Sequence, residues 1–362
     1  MSTVEAVVGY EAVTPEWLTE VLTTSGTLRS GARVTNVVRS PCGTGQLADS
    51  YRFALSYDQP DAGPASVVGK FASEDEASRA FGQQSGQYRN EIRFYQQLAD
   101  ELAIAVPVPV HAALAENETD FVLLMQDLTP ARVVDQLEGC TPDEAALVMD
   151  QQAALHASSW DDPRLAQLEW LQGTVAGWGQ ITDGFDATIA AFPEAFGSLI
   201  PEADLAEAAK LVPLRDAWKR ELSTPRCLWH NDLRADNVLF DAQAGEIPIA
   251  VLDWQGVTYG NGTIDLAYFL ATSLTTEDRR AHERDLVARY HEGLLSHGVS
   301  DYTLEQCWDD YRVLAIHPLQ TGVFGLGAVK RSERGDRMWC NWIDRSAAMT
   351  RDLDSFALLA TR

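Results

Sequence analysis

The stretch that decides the fold is residues 228–240, which read LWHNDLRADNVLF. Apolar residues typical of strands stand at both ends, and a dense set of polar residues fills the middle. Such a segment can be a polar turn between two strands, because Asp and Asn favour turns. It can also be a site that two strands hold in place, and the segments around it bear on this choice.

A second polar segment directly follows an apolar strand. Residues 249–252 (IAVL) run into Asp253, and an isolated charge at the end of such a run is costly without a cation. The carboxylate of Asp253 and the amide oxygen of Asn237 are ligands that Mg²⁺ takes while retaining waters and binding nucleotide phosphates. Asp232 remains available to orient or deprotonate a hydroxyl group.

A glycine-containing loop lies upstream between two predicted strands. Residues 41–50 read PCGTGQLADS and include Gly43 and Gly45. Glycines let backbone amides approach phosphate oxygens closely. An ordinary hairpin turn is the alternative interpretation.

Lys70 and Glu91 are predicted to form an ion pair. In the run 67–71 (VVGKF), strand alternation places Lys70 on the face of Val68, although an exposed edge lysine is the alternative. Glu91 shares an inward helical stripe with Tyr95, and a carboxylate there needs a cation. The order glycine loop, lysine, helix glutamate is the one that a nucleotide-phosphate clamp requires.

Two segments only partly match known nucleotide-binding loops. Five residues separate Gly63 from Gly69, whereas a Walker loop has four, and Phe71 replaces the hydroxyl that binds Mg²⁺. Residues 325–327 (GLG) follow no predicted strand and lack a third glycine. Helix packing or a turn is the prediction for that segment.

Composition narrows the class of protein. Of the 362 residues, 46% are hydrophobic and 22% charged, which is typical of a folded globular chain. The formal net charge of -25 makes binding to nucleic acid or anionic lipid improbable. No apolar run approaches the ~18 residues of a membrane span, and the N-terminus lacks signal-peptide features, so a cytoplasmic protein is expected. The five dispersed cysteines argue against a disulfide framework or a zinc site.

The hydrophobic pattern divides the chain into two lobes. A small β-rich lobe is predicted at residues 1–128, with three strands within 34–71, a helix over 87–102 and a strand at 121–125. A larger, mainly helical lobe is predicted at residues 129–362. Its predicted strands are 227–229, 238–240 and 247–252, and its helices start at the capping box of Thr141 and continue over 263–274, 276–297 and from 304 to the end.

These motifs together resemble the protein-kinase-like fold. His230-x-Asp232, Asn237 five residues later and Asp253 at a strand end are the specific part. The details are similar to the aminoglycoside phosphotransferase and choline-kinase-like superfamily, in particular its ecdysteroid-kinase-like bacterial members. The resemblance covers about residues 33–274 and implies an α+β bilobal fold, with a small antiparallel-sheet N-terminal lobe and a larger, mainly helical C-terminal lobe.

The resemblance implies a role for each matching residue. Asp232 is expected to be the catalytic base or the group that orients the hydroxyl. Asn237 and Asp253 are expected to bind Mg²⁺. Lys70, positioned by Glu91, is expected to contact the α- and β-phosphates of ATP.

Further roles follow from the same resemblance. The carbonyl of Gln126 and the amide of Leu128 are expected to hold the adenine. Arg234 is expected to stabilise the transferred phosphoryl group, with a surface ion pair as the alternative. His230 and Asp265 are expected to hold the catalytic loop together.

The function implied is an ATP-dependent kinase that moves the γ-phosphate to a hydroxyl of a small molecule. A catalytically weak, nucleotide-binding pseudokinase with a regulatory role is the alternative. Asn231 stands where the family has glycine, and Trp254-Gln255 replaces the Phe-Gly of protein kinases, which argues against a protein substrate. The sequence identifies neither the acceptor nor the oligomeric state, and Asp161, His317, Trp342 and Asp344 are only candidates for acceptor binding.

Overall fold

The structure is a computed structural model that describes residues 7–43, 47–197, 199–328 and 332–362. The described residues form two compact units. Unit 1 takes them from Met1–Glu101, Val106–Pro130 and Asp253–Gln255, and unit 2 from Leu102–Ala105, Ala131–Leu252 and Gly256–Arg362. The three residues that start at Asp253 thus belong to unit 1, although the chain on both sides of them belongs to unit 2.

Unit 1 contains a five-stranded antiparallel sheet in the order β1-β2-β3-β5-β4. The strands are β1 Val34–Pro41, β2 Ala48–Tyr57, β3 Ser66–Ala72, β4 Pro109–Leu114 and β5 Phe121–Gln126. The α-helices are α1 Pro15–Thr24, α2 Glu76–Gln84 and α3 Gln87–Gln97. The predicted strands within 34–71 and at 121–125 are confirmed, whereas α2 and β4 were not predicted.

The local sequence explains how α1 and β3 form this unit. Thr14 caps α1 by accepting a hydrogen bond from the Trp17 amide at 3.2 Å, which satisfies an otherwise unpaired helix N–H. The apolar face of α1, which includes Leu18, packs in one core with Phe53 of β2. In β3 the side chains alternate, so Phe71 is buried in that core and Lys70 lies on the opposite face.

Unit 2 is mainly helical and carries two small antiparallel sheets. Its strands are β6 Arg132–Val133, β7 Cys227–Trp229, β8 Val238–Ala242, β9 Ile247–Val251 and β10 Thr258–Gly260. The sheets have the orders β6-β8-β9 and β10-β7. The α-helices are α4 Pro142–Ser158, α5 Glu169–Asp183, α6 Phe185–Phe196, α7 Glu202–Ala209, α8 Arg215–Glu221, α9 Thr263–Ser273, α10 Thr276–Ser296, α11 Leu304–Leu314, α12 Ile316–Ala328, α13 Glu333–Asp352 and α14 Ser355–Leu359.

The start of α4 and the glycines of α12 follow the sequence predictions. Thr141 and Glu144 form a reciprocal capping box at the start of α4, with hydrogen bonds of 2.7 and 3.2 Å. Residues 325–327 lie within α12, which confirms the helix-packing interpretation, and a Cβ on Gly325 would collide with the Trp339 ring. The region from 304 onward is divided into α11 to α14. Among the described residues, no helix has both the length and the apolar character that crossing a bilayer requires.

Candidate functional site

The loop between β7 and β8 is anchored by Asp265 near the start of α9. The two carboxylate oxygens of Asp265 accept hydrogen bonds from the backbone N–H groups of His230 at 2.6 Å and Asn231 at 3.0 Å. His230 Nε2 lies 2.7 Å from the carbonyl oxygen of Leu252, so it donates, and Nδ1 accepts from the amide of Asp232 at 3.2 Å. The structure therefore confirms that His230 and Asp265 hold this loop.

Asn231 adopts a backbone conformation that favours glycine. Its φ is +68°, in the left-handed region that asparagine tolerates better than most residues. Its side-chain oxygen accepts a hydrogen bond from Trp178 Nε1 at 2.9 Å. Asparagine therefore replaces the glycine of the family pattern and adds a fixed contact to α5.

Three side-chain donors converge on the carboxylate of Asp232. The Tyr268 hydroxyl donates to Oδ1 at 3.0 Å, Asn237 Nδ2 donates to Oδ2 at 3.0 Å, and Arg234 Nε lies 3.2 Å from Oδ1. Burial, and next the Asp232 charge, raises the pKa of Tyr268 far above its usual value, so the tyrosine keeps its proton and donates. These contacts fix the carboxylate while 26% of the side chain stays accessible to a substrate.

The side-chain amide of Asn237 is held in one orientation by hydrogen bonds from its nitrogen. Nδ2 donates to both the backbone oxygen and Oδ2 of Asp232, at 2.8 and 3.0 Å. The backbone oxygen of Asn237 accepts from the Leu252 amide at 2.8 Å. The two bonds of Nδ2 also fix the direction of Oδ1, and an oriented amide oxygen of this kind fits Mg²⁺.

Arg234 lies among polar side chains of unit 2. Besides its contact with Asp232, its Nη1 donates to Asp236 at 2.7 Å and to Gln136 Oε1 at 2.8 Å. The Arg234 side chain is four-fifths buried. Its contact with the Asp232 carboxylate places a cation beside the group predicted to receive the acceptor hydroxyl.

Lys70 and Glu91 form the predicted ion pair in unit 1. The Lys70 ammonium lies 2.7 Å from Glu91 Oε2 and 2.7 Å from Asp253 Oδ1. Burial opposes the lysine charge, but Asp253 and Glu91 outweigh it and raise the pKa of Lys70. Burial, with the Asp253 charge, raises the pKa of Glu91 despite the ammonium. One cation is thus shared by two carboxylates.

Aromatic stacking attaches the segment 253–255 to α3. The ring of Trp254 stacks on Phe94 with centroids 4.0 Å apart and planes 3° from parallel. Trp254 is fully buried, and its backbone also hydrogen bonds to Glu91. Asp253 has φ +66°, which turns the chain sharply at the carboxylate. The residue that replaces the Phe of protein kinases therefore fixes Asp253 beside Lys70.

The remaining predicted nucleotide residues lie at strand ends of unit 1. Gly43 has φ +77°, a conformation that favours glycine, whereas Gly45 lies outside the described residues. Gln126 ends β5, and buried Leu128 follows it. Between them, Asp127 accepts hydrogen bonds from Ser66 at 2.7 Å and Arg52 at 2.6 Å.

The acceptor candidates separate into two kinds. His317 and Trp342 are buried and both contact the Tyr268 ring, with centroid distances of 5.9 and 5.1 Å. Asp344 is exposed, and Asp161 lines a cavity of about 580 Å³ whose lining includes none of the site residues. The structure thus brings only His317 and Trp342 to the surroundings of Asp232.

Sequence reasoning assigned no role to Tyr268 or Gln136, and it considered Trp178 only among the aromatic residues that either pack in the core or permit an apolar acceptor. Tyr268 lies one helical turn after Asp265, so the helical period places both residues on the same face of α9, and this spacing was the available signal. Gln136 reaches Arg234 across 98 positions, and Trp178 reaches Asn231 across 53. No local pattern carries such long-range contacts.

Comparisons with known proteins agree with this geometry. The model of the phosphotransferase enzyme family (APH) matches residues 70–302, which is more than half of the chain. An uncharacterized kinase-like protein of Caenorhabditis elegans is 32% identical over 107 residues, which make up 29% of this chain and 28% of that protein. The alignment thus spans less than a third of that relative.

Solved structures show the same fold. A microcompartment-associated aminopropanol kinase is 17% identical, with a TM-score of 0.51 over 94% of this chain and 98% of the other. The GDP complex of aminoglycoside 2'-phosphotransferase-IIIa is 12% identical, also with a TM-score of 0.51 and the same coverages. The sequence prediction of an α+β, protein-kinase-like bilobal fold is confirmed.

Proposed function

The chain belongs to the phosphotransferase enzyme family, and from this premise we propose that it transfers the γ-phosphate of ATP to a hydroxyl group of a small molecule. The observation that carries the proposal is the set of three donors that orient the Asp232 carboxylate. A fixed, partly accessible carboxylate is what phosphoryl transfer needs to orient an attacking hydroxyl.

Asp232 acts as the base or orienting group in this proposal. The acceptor hydroxyl donates to the carboxylate, and its oxygen then attacks the γ-phosphorus. Tyr268 and Asn237 prevent the carboxylate from rotating away. General-base assistance of this kind contributes about 10² to 10⁴ in rate.

Asn237 and Asp253 are the proposed Mg²⁺ ligands. The Asn237 oxygen is oriented by the two bonds of its amide nitrogen, and Asp253 adds a carboxylate. In the part of the chain that the structure describes, no three His, Cys, Asp or Glu side chains gather as a metal cluster. Mg²⁺ takes few protein ligands beside waters and phosphates. When bound, the ion neutralises charge on the transferring phosphates.

Lys70 is the proposed contact to the α- and β-phosphates. Its ammonium is positioned by Glu91, whose carboxylate is almost fully buried. Phosphate oxygens compete with Asp253 for the same ammonium. Gly43, Gly45, Gln126 and Leu128 complete the proposed nucleotide contacts.

Arg234 is proposed to stabilise the transferred phosphoryl group. Its guanidinium lies beside Asp232 and is held by Asp236 and Gln136. A cation at this position compensates charge on the phosphoryl oxygens as the bond to ADP breaks.

A small-molecule acceptor is favoured over a protein. The segment after Asp253 begins Trp254-Gln255, and Trp254 is packed against Phe94. No activation segment is recognisable in the sequence. Two of the similar structures are a kinase of aminopropanol and a phosphotransferase of aminoglycosides by name.

The decisive experiment compares ATP turnover with ATP binding. The full chain is incubated with Mg-ATP and a panel of hydroxylated compounds, and ADP and the phosphorylated acceptor are measured. We expect acceptor-dependent ADP formation that Asp232→Asn removes. Asp241→Asn, the same change at an exposed residue of β8, is the control that retains it. ATP binding without turnover across the panel would instead identify a pseudokinase.

A further inference from the structure

An aromatic cluster adjoins the carboxylate of Asp232. We define it by the side chains Trp178, Trp229, Tyr268, His317, Trp339 and Trp342. Tyr268 connects it to the site, because its hydroxyl bonds to Asp232 and its ring contacts His317 and Trp342. Trp178 forms a second connection between the cluster and the site, because its Nε1 donates a hydrogen bond to Asn231, the residue before Asp232. The cluster is therefore joined to the loop that carries Asp232 by two side-chain hydrogen bonds.

His317 is a polar residue without a polar partner at the centre of the cluster. Its ring centroid lies 4.5 Å from Trp178 and 5.7 Å from Trp229. The side chain is fully buried, and burial lowers its pKa to about 3. The imidazole is therefore neutral, with one nitrogen that donates and one that accepts. Neither nitrogen has a hydrogen-bond partner among the described residues.

Three more buried polar atoms, in the cluster or on the His317 face of α12, also have no hydrogen-bond partner among the described residues. Trp229 Nε1, Thr321 Oγ1 and Trp339 Nε1 are buried and make no hydrogen bond within the described ranges. Thr321 lies one turn after His317 on α12, so both side chains share one face of that helix. Buried polar atoms are normally paired, and their concentration beside a proposed catalytic carboxylate indicates a ligand that supplies the partners.

Glycines of α12 leave room for the indole rings of α13 in the cluster. A Cβ on Gly322 would approach Trp342 Cδ1 to 3.0 Å, so the absence of a side chain at this position of α12 makes room for the Trp342 ring of α13.

We propose that the acceptor is a neutral alcohol with a largely apolar body, which packs against the aromatic cluster and exchanges hydrogen bonds with the ring nitrogens of His317. This inference rests on the proposed function and specifies the acceptor of the same site. A second hydroxyl both donates and accepts, so it can pair with either nitrogen of a neutral imidazole, whereas an ammonium only donates and leaves the donating nitrogen unpaired. His317 is thus a specificity-determining residue.

The test uses the full chain, Mg-ATP and two sets of acceptors. The neutral set is phenylethanediol, cyclohexanediol and a dihydroxylated steroid, and the cationic set is kanamycin and aminopropanol. We expect phosphorylation within the neutral set. Two results would overturn the inference: phosphorylation of the cationic set alone, and ADP formation without a phosphorylated neutral alcohol. Both results leave the proposed function standing. Failure to bind Mg-ATP at all instead overturns the proposed function.

Variants then test His317 itself. His317→Phe keeps an aromatic ring, and we expect the KM for the accepted alcohol to rise about tenfold with an unchanged KM for ATP, as loss of a buried hydrogen bond implies. The melting temperature without acceptor should rise, because unpartnered buried nitrogens are removed. Thr321→Val is a second variant, at a residue on the same face of α12 as His317, and we expect it also to raise the KM for the alcohol.

His291→Phe is the matched control. His291 is also a buried histidine of unit 2, but its Nε2 lies 2.8 Å from the Tyr302 carbonyl. Its replacement should lower the melting temperature and leave the acceptor KM unchanged. An unchanged acceptor KM in both His317→Phe and Thr321→Val would show that the cluster is only structural.

Discussion

The ammonium of Lys70 is bound at 2.7 Å to the carboxylate of Asp253, which lies 183 positions later in the chain. Glu91 shares the same ammonium. The residue proposed to bind phosphate therefore holds the residue proposed to bind Mg²⁺. Under the proposed function, Lys70 exchanges Asp253 for phosphate oxygens when Mg-ATP binds, while Glu91 keeps the ammonium in place.

Replacing Lys70 should impair ATP use more than replacing its positioning partner. Lys70→Met removes the phosphate contact, and we expect kcat/KM for ATP to fall about 10²-fold, as the loss of a hydrogen bond to a charged group implies. Glu91→Gln keeps the shape but not the charge, and a fall of about tenfold is expected. Steady-state kinetics with varied ATP measures both.

Lys219→Met is the control for this pair. Lys219 lies in unit 2, bonded to the exposed Asp183 at 2.6 Å, and exposed ion pairs contribute little. Its kinetics should match those of the unmodified protein. A larger loss for Glu91→Gln than for Lys70→Met would contradict the assigned order of roles.

The two proposed metal ligands, Asp253 and Asn237, should contribute unequally to Mg²⁺-dependent ATP binding. Asp253→Ala removes a formal charge as well as an oxygen, whereas Asn237→Ala removes only an oxygen. We therefore expect Asp253→Ala to weaken Mg²⁺-dependent ATP binding more, and Lys70 to retain Glu91 as its partner. Calorimetric titration of ATP with and without Mg²⁺ measures this. Equal ATP affinity in both conditions for the unmodified protein would count against the site.

Asp232→Asn should remove catalysis and preserve nucleotide binding. The amide can still accept from Tyr268, but it cannot take a proton from the acceptor hydroxyl. Turnover should fall by about 10² to 10⁴, with ATP affinity changed only a few fold. Acceptor-dependent ADP formation and ATP titration on the same preparation separate the two effects. Turnover equal to that of the unmodified protein would remove Asp232 from the mechanism.

The sequence predicted features that depend on neighbouring residues. The Thr141 capping box and the strands of unit 1 follow from local spacing, which is short-range information. The Lys70–Glu91 ion pair was predictable because each residue lies at a position where its charge needs a partner.

The features that the sequence did not predict depend on contacts between residues far apart in the chain. β10 is only three residues long and pairs with β7 about 30 positions earlier, so no periodicity could develop. Gln136 holds Arg234 from a loop in another part of unit 2. These features are determined by tertiary packing, and the residues near them in the sequence do not indicate which distant segment they contact.

Acid should destabilise the protein partly through His317. Its pKa is lowered by burial to about 3, whereas in the unfolded chain it is about 6.5. Between these values the unfolded state binds more protons, so this group's contribution to stability is present above pH 6.5 and lost as the pH falls toward 3. His317→Phe lacks this effect.

Urea denaturation of both proteins at two pH values measures the difference. From pH 7 to pH 4.5, the free energy of unfolding of the unmodified protein should fall by about 2.5 kcal/mol more than that of His317→Phe. All other titrating groups are common to both proteins and cancel in this comparison. Parallel pH dependences would show that His317 is not held neutral.

Two substitutions at Asn231 should separate its backbone conformation from its side-chain contact. Asn231→Ala places a Cβ residue without a compensating side chain at φ +68°, and it leaves Trp178 Nε1 without its acceptor. We expect a loss of about 2 kcal/mol in the free energy of unfolding. Asn231→Gly relieves the backbone and loses only the hydrogen bond, so a loss of about 1 kcal/mol is expected. Because Asp232 is the next residue, turnover should follow the same order, with Asn231→Gly closer to the unmodified protein. Chemical denaturation and acceptor-dependent ADP formation measure both quantities, and greater stability of Asn231→Ala than of Asn231→Gly would refute the conformational argument.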